Sequence, residues 1–233
     1  MINSTVCLEA GSGLLNLSIE RLLKIESVIL SHSHFDHICG LPFLLELRKQ
    51  QTSQPLRVFA HHNTIESLKT HLFNQHLWPD FTQIPTISEP VLVMVALTTK
   101  QSHNIAGLEV VPVEVNHTVP TLGFLIRGRS GCFAYSGDTA ACQAFTGALG
   151  SWPDLKHVIM ECSFPDNQQS LAELTGHLRS SDLIALRSEL CAQVPLWATS
   201  TKSWYRAQIE AELAMWRGAS VLQCLKVGQT MSF

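Results

Sequence analysis

Ser31-His32-Ser33-His34-Phe35-Asp36-His37-Ile38 places three histidines and an aspartate within the six residues from His32 to His37. An apolar run, Val28-Ile29-Leu30, precedes the cluster and a helix-like stretch, Ile38 to Leu47, follows it. That context puts the cluster at the end of a β-strand, on a loop leading into a helix. Alternate residues of an extended turn point the same way, so His32 and His34 are expected to share one ion. Asp36 and His37 are then expected on the other side of the turn, where they could hold a second. Imidazole and carboxylate ligands suit zinc, manganese or iron rather than calcium. A lone histidine beside an apolar segment is ordinarily structural, but this density and spacing point to metal.

The bulk composition bounds the remainder. A chain of 233 residues is long enough for a sizeable core, and a single domain over 1–233 is expected. With 45% hydrophobic and 15% charged residues it reads as a folded globular protein. A net charge of −3 argues against a protein that grips nucleic-acid backbones. The seven cysteines are scattered with no CxxC pair, as free thiols in a reducing compartment would be. No signal peptide or membrane span is apparent, so a cytoplasmic location is expected. A homodimer is compatible with the sequence.

Strand-like and helix-like segments alternate along the chain. Strands are expected at 28–31, 56–60, 91–96, 108–115, 121–127, 132–136, 157–161, 194–198 and 220–226. Helices are expected at 38–50, 64–77, 140–149, 179–191 and 204–216. Arg127-Gly128-Arg129-Ser130-Gly131 reads as a hairpin loop. No GxGxxG opens a first βα unit, so the mixture implies sheets flanked by helices rather than an all-parallel dinucleotide fold.

Further ligands for a two-metal centre should sit at other strand ends. His117 follows the β-branched strand 108–115 directly, although a loop histidine bonded to backbone would look the same. Asp138, in Ser136-Gly137-Asp138-Thr139, closes a strand at a glycine turn. It suits a helix cap, and equally a carboxylate bridging two cations. Glu161 ends another apolar strand, and His177 sits at what reads as a glycine-marked helix entry.

This ordered series, HxHxDH, then a strand-end histidine, then SGDT, resembles the metallo-β-lactamase superfamily. Within it, Asn116-His117-Thr118-Val119-Pro120 and Glu161-Cys162-Ser163-Phe164-Pro165, followed by Thr175-Gly176-His177-Leu178, are similar to the class II cyclic-nucleotide phosphodiesterases. The resemblance implies an α/β fold, the αββα metallo-β-lactamase sandwich. It implies two divalent metal ions, zinc first with manganese or iron as alternatives. One ion would be held by His32, His34 and His117, the other by Asp36 and His37, with Asp138 bridging. A hydroxide shared by the ions would attack the 3′,5′-cyclic phosphate of a small-molecule cyclic nucleotide. Asp36, Glu161 and His177 are the catalytic candidates, with His177, oriented by Glu161, protonating the leaving 3′-oxygen.

The sequence departs from that pattern in three places. Where the family carries its final histidine ligand, Leu196-Trp197-Ala198-Thr199-Ser200-Thr201-Lys202 offers Ser200, so the second metal site is expected to be weakened. Few residues precede HxHxDH, which suggests incomplete N-terminal strands or a start inside a longer reading frame. Glu9, in Glu9-Ala10-Gly11-Ser12-Gly13, stands where the family has a supporting aspartate.

Other residues invite a role. His76, Trp78 and Phe81 suit a wall that stacks on a purine, or simply a packed helix capped by Asn63 with buried Ile65, Leu68 and Leu72. Arg127 and Arg129 in the hairpin suit a phosphate contact but read more readily as solvated turn arginines, Lys202 and Tyr205 near Ser200 are better candidates for one, and His103 and His157 read as structural. A tRNA 3′-end processing endonuclease of the same fold is the alternative activity, though no lysine-rich arm for tRNA is visible. A degenerate, non-catalytic member is the third reading.

Overall fold

The computed structural model describes residues 1–233, which form two compact units, Met1–Thr98 and Thr99–Phe233. In the first, β1 (Val6–Leu8), β2 (Ser27–Ile29), β3 (Leu56–Ala60) and β4 (Leu92–Ala96) make one sheet in that spatial order. Every neighbouring pair is parallel. Parallel strands are covered on both faces, which is why β2 and β3 read as nearly continuous apolar runs instead of alternating. The crossovers carry α1 (Ile19–Leu23), then α2 (Phe35–Ile38) and α3 (Leu41–Gln51), then α4 (His62–Ser67). Leu30, Leu41, Leu45, Val58, Leu68 and Phe81 lie in the core of this unit.

The second unit holds a seven-stranded sheet. Its strands are β5 (His103–Ile105), β6 (Leu108–Val115), β7 (Thr121–Arg127), β8 (Cys132–Tyr135), β9 (Leu155–Glu161), β10 (Leu196–Thr199) and β11 (Leu222–Cys224). They are neighbours in sequence order from one edge to the other. β5 to β8 form an antiparallel meander, and from β8 to β11 the pairing is parallel. The antiparallel part needs short turns alone, and the expected Arg127–Gly131 loop joins β7 to β8, with Arg127 opposite Cys132. The parallel part needs crossovers, supplied by α5 (Gln143–Leu149), α6 (Gln169–Thr175), α7 (Ser180–Glu189) and α8 (Arg206–Leu213).

The expected α/β class is borne out, and the differences have local causes. β1 and β5 are three residues long, too short to show a period in sequence. The helix expected over 64–77 begins earlier and ends sooner: α4 passes into a π-helical turn, Leu68–Leu72, and the chain leaves the helix at Phe73. Ile65, Leu68 and Leu72 are buried as their spacing implies, but the cap is His61, whose Nδ1 accepts from the Asn63 amide at 3.2 Å. Asn63 is therefore inside the helix. Phe81 is fully buried against Phe73, at 6.3 Å between ring centres, which removes it from any base-stacking wall. Trp78 is half-buried and packs edge-on against Phe43. No helix is long and apolar enough to cross a membrane.

Candidate functional site

The first unit carries its candidate ligands on the loop after β2. His32 is fully buried and His34 half-buried, with ring centres 4.7 Å apart. His37 comes closer to His32 than an extended turn implies. The chain turns into α2 with His34 at its N-cap, and that single turn brings the His37 ring to 4.2 Å from His32. Asp36 points outward, its side chain 65% exposed, with Oδ2 3.9 Å from Nε2 of His37.

A second turn, residues 9–11, holds this loop from behind. Ala10 N–H donates to the His37 carbonyl (2.9 Å) and Gly40 N–H donates to the Ala10 carbonyl (2.7 Å). Gly11 sits so close that a Cβ there would lie 2.0 Å from the Asp36 carbonyl oxygen, so glycine is required by contact. Glu9 adopts a left-handed backbone (φ 64°) that aims its carboxylate inward. Its Oε1 accepts from the Ser31 amide at 3.3 Å and its Oε2 lies 3.4 Å from Nδ1 of His37. The Ser31 hydroxyl meets Nδ1 of His32 at 2.8 Å. A carboxylate or hydroxyl on one ring nitrogen orients the other toward a metal. Glutamate in the supporting position thus still reaches a candidate ligand.

The second unit collects His117, Asp138 and His177 from three separate loops, and one ligand atom from each lies within 4.8 Å of the others. Three hydrogen bonds tie the first two loops together. Asn116 N–H donates to Thr139 Oγ1 (3.2 Å), Asn116 Nδ2 to the Ala141 carbonyl (2.8 Å), and Ala140 N–H to the Asn116 carbonyl (2.7 Å). Asp138 is buried on the turn that Gly137 makes with φ 62°. It does not cap a helix, because α5 starts at Gln143 after Cys142. His117 donates through Nδ1 to the Gly176 carbonyl at 2.9 Å, which leaves Nε2 as the basic nitrogen.

Gly176 ends α6 in the left-handed region (φ 69°), so His177 follows a helix exit and not the entry its glycine suggested. The His177 ring lies 4.9 Å from that of His117. Its Nδ1 is 2.7 Å from Oε1 of Glu161 and 3.2 Å from the Ser163 hydroxyl. Glu161, fully buried at the end of β9, also accepts from the Thr139 amide (2.9 Å) and the Ser163 amide (3.0 Å). Burial raises its pKa above the usual carboxylate range, opposed by the hydrogen bond from His177. Burial likewise pushes the neighbouring Cys162 thiol upward, which argues against a thiolate nucleophile here.

Ser200 lies at the end of β10, beside the end of β9, since Thr199 pairs with Glu161. Its backbone is left-handed (φ 56°), and its carbonyl accepts from the Ser163 hydroxyl at 3.1 Å. Ser163, quoted in the Glu-Cys-Ser-Phe-Pro motif but given no task there, therefore joins His177 to the 200 position. Arg127 is not available for phosphate: it pairs with Glu109 at 3.1 Å and with Asp154, and its guanidinium lies over Trp152. His157 is structural, accepting from Trp197 Nε1 at 3.2 Å and meeting the Ser232 carbonyl at 3.1 Å. The imidazoles and carboxylates of both units, several fixed through their second ring nitrogen, fit borderline divalent ions such as zinc.

The family model described as the beta-lactamase superfamily domain matches residues 10–196. The chain is 27% identical over 190 residues to a 3′,5′-cyclic-nucleotide phosphodiesterase of Schizosaccharomyces pombe, covering 72% of this chain and 51% of that protein. It is 30% identical over 106 residues to a ribonuclease Z of Pyrococcus abyssi, covering 45% of this chain and 32% of that one. The chain thus spans about half the length of the first relative and about a third of the second. Among solved structures, the metallo-β-lactamase fold protein YhfI of Bacillus subtilis superposes with a TM-score of 0.77 at 18% identity, over 98% of this chain and 88% of that one. That likeness concerns the fold.

Proposed function

The chain belongs to the beta-lactamase superfamily, and from that premise we propose that it is a metal-dependent phosphodiesterase that opens the 3′,5′-cyclic phosphate of a cyclic nucleotide. We assign His32, His34, Asp36, His37, His117 and Asp138 as the ligand set for two divalent ions, an assignment that rests on the order of the superfamily's motifs. When bound, the ions supply Lewis acidity, lowering the pKa of water and neutralising charge on the phosphoryl oxygens.

The observation that carries the reading is the Glu161–His177 pair, 2.7 Å apart in the same loop cluster as His117 and Asp138. A hydrolase that breaks a P–O bond to an alkoxide needs a proton at the leaving oxygen. Glu161 accepts from Nδ1 of His177 and stabilises the imidazolium. Nε2 then delivers its proton to the 3′-oxygen as the P–O bond breaks, and Glu161, held by two backbone amides, keeps the ring in place. His37 and the Glu9 carboxylate keep the other loop in register for ligation.

The similarity to an archaeal ribonuclease Z supports a second reading, cleavage of precursor tRNA. One assay set separates the two. The purified protein is analysed for bound metal and tested with cyclic AMP, cyclic GMP and a precursor tRNA in the presence of zinc or manganese. Turnover of a cyclic nucleotide that a chelator removes and metal restores is expected. Cleavage of the tRNA alone would overturn the first reading in favour of the second. A filled metal site with no turnover of any phosphodiester would mark a non-catalytic member.

A further inference from the structure

Trp204 is 76% exposed although it carries the largest apolar side-chain surface available to a protein. It stands on the turn between β10 and α8, and that turn is anchored at both ends. The Ser200 carbonyl is held by Ser163, Tyr205 N–H donates to the Lys202 carbonyl at 2.9 Å, and Arg206 reaches the Leu225 carbonyl at 2.8 Å. The indole is therefore presented on a rigid platform while its ring is left in water.

A line of aromatic contacts leads from it to the acid–base pair. The Trp204 ring lies 6.0 Å from Tyr205, Tyr205 5.9 Å from Phe164, and Phe164 5.7 Å from His177. Tyr205 is half-buried and Phe164 buried, so the indole is the exposed end of this series. Lys202, in the same turn, adds a cation for an anionic ligand. An exposed aromatic face on an anchored turn, linked through packed rings to the acid–base pair, has the chemistry of a nucleobase platform, since every base offers a π-face.

We propose that Trp204 stacks on the base of the bound nucleotide and so determines substrate preference, an inference that rests on the phosphodiesterase reading for its ligand. It replaces the wall of His76, Trp78 and Phe81 that the sequence suggested, whose Phe81 is in the core.

The test compares two probes on the full chain loaded with zinc: 5′-AMP, which has a base, and ribose 5-phosphate, which lacks one. Wild type should bind 5′-AMP more tightly. Trp204→Ala should weaken 5′-AMP by about tenfold, leave ribose 5-phosphate unchanged, and raise KM for a cyclic nucleotide with little change in kcat. Trp204→Phe should restore most of the 5′-AMP affinity. An equal loss for both probes, or none for either, overturns the proposal. So does a wild type that does not discriminate between the probes. Binding of these probes needs no turnover. Failure of the phosphodiesterase reading would instead appear as a wild-type chain that hydrolyses neither cyclic nucleotides nor bis(p-nitrophenyl) phosphate, whichever way Trp204 behaves.

Discussion

The first unit draws its candidate ligands from one run, His32 to His37, whereas the second gathers His117, Asp138 and His177 from three loops far apart in sequence. The two are stiffened differently as a result. On the first, a turn packed at contact distance, Gly11 on the Asp36 carbonyl, fixes the backbone, and Glu9 steadies a ring. On the second, the loops are stitched to each other through Asn116, Thr139, Glu161 and Gly176. A contiguous motif needs only a backing surface, but a dispersed one needs hydrogen bonds between its own parts. Away from the ligands the units share a device. Arg48 in the last turn of α3 donates to the carbonyls of Leu23, Ile25 and Gln54, and Arg187 near the end of α7 donates to those of Leu190, Cys191 and Val194. Both guanidiniums are buried and both have their pKa lowered by desolvation.

The strongest way to break the comparison is to remove one carboxylate from each support. Glu161→Gln should lower kcat by about 10²–10⁴-fold, because it strips the proton donor of its orienting anion, with bound metal retained. Glu9→Gln should instead act on metal affinity, lowering it by about 10–100-fold. Steady-state kinetics beside a metal titration of each variant separates these effects. Loss of metal from Glu161→Gln with no effect on the residual rate would show that the two supports are alike.

A smaller effect is expected from the two glycines. Gly11→Ala forces a methyl against a backbone carbonyl and should cost about 3 kcal/mol in chemical denaturation. Gly176→Ala meets Nδ1 of His117 at 3.3 Å, a tight contact that a few tenths of an ångström relieve, and must keep φ near 69°, which costs about 1–2 kcal/mol. The reverse ranking would mean that the 9–11 turn yields and is not the rigid backing described.

Ser200→His should have the smallest effect on the fold and a specific effect on metal. It restores an imidazole at the end of β10 and should raise affinity for the more weakly bound ion, read from the absorption of a cobalt-substituted protein. Unchanged affinity and stoichiometry would show that residue 200 is not where a further ligand belongs.

The sequence alone determined much of this, because the decisive chemistry is local. HxHxDH is legible in one window, and most strands, from Leu56–Ala60 to Leu196–Thr199, carry apolar runs that announce them. So do the Glu-Cys-Ser-Phe-Pro and Gly-His-Leu segments that bring Glu161 and His177 into view. Tertiary structure decided everything that depends on distance between segments or on the direction of a side chain. A single helical turn after His34 put His37 beside His32, although their spacing in an extended turn would have parted them. Gly176 looked like a helix start and is a left-handed exit whose carbonyl orients His117, a role set by a residue remote in sequence. Phe81 and Trp204 are both aromatic residues on irregular stretches, and no local pattern says which one is buried. Burial is a property of what packs around a ring, so only the folded chain could assign one to the core and the other to the solvent.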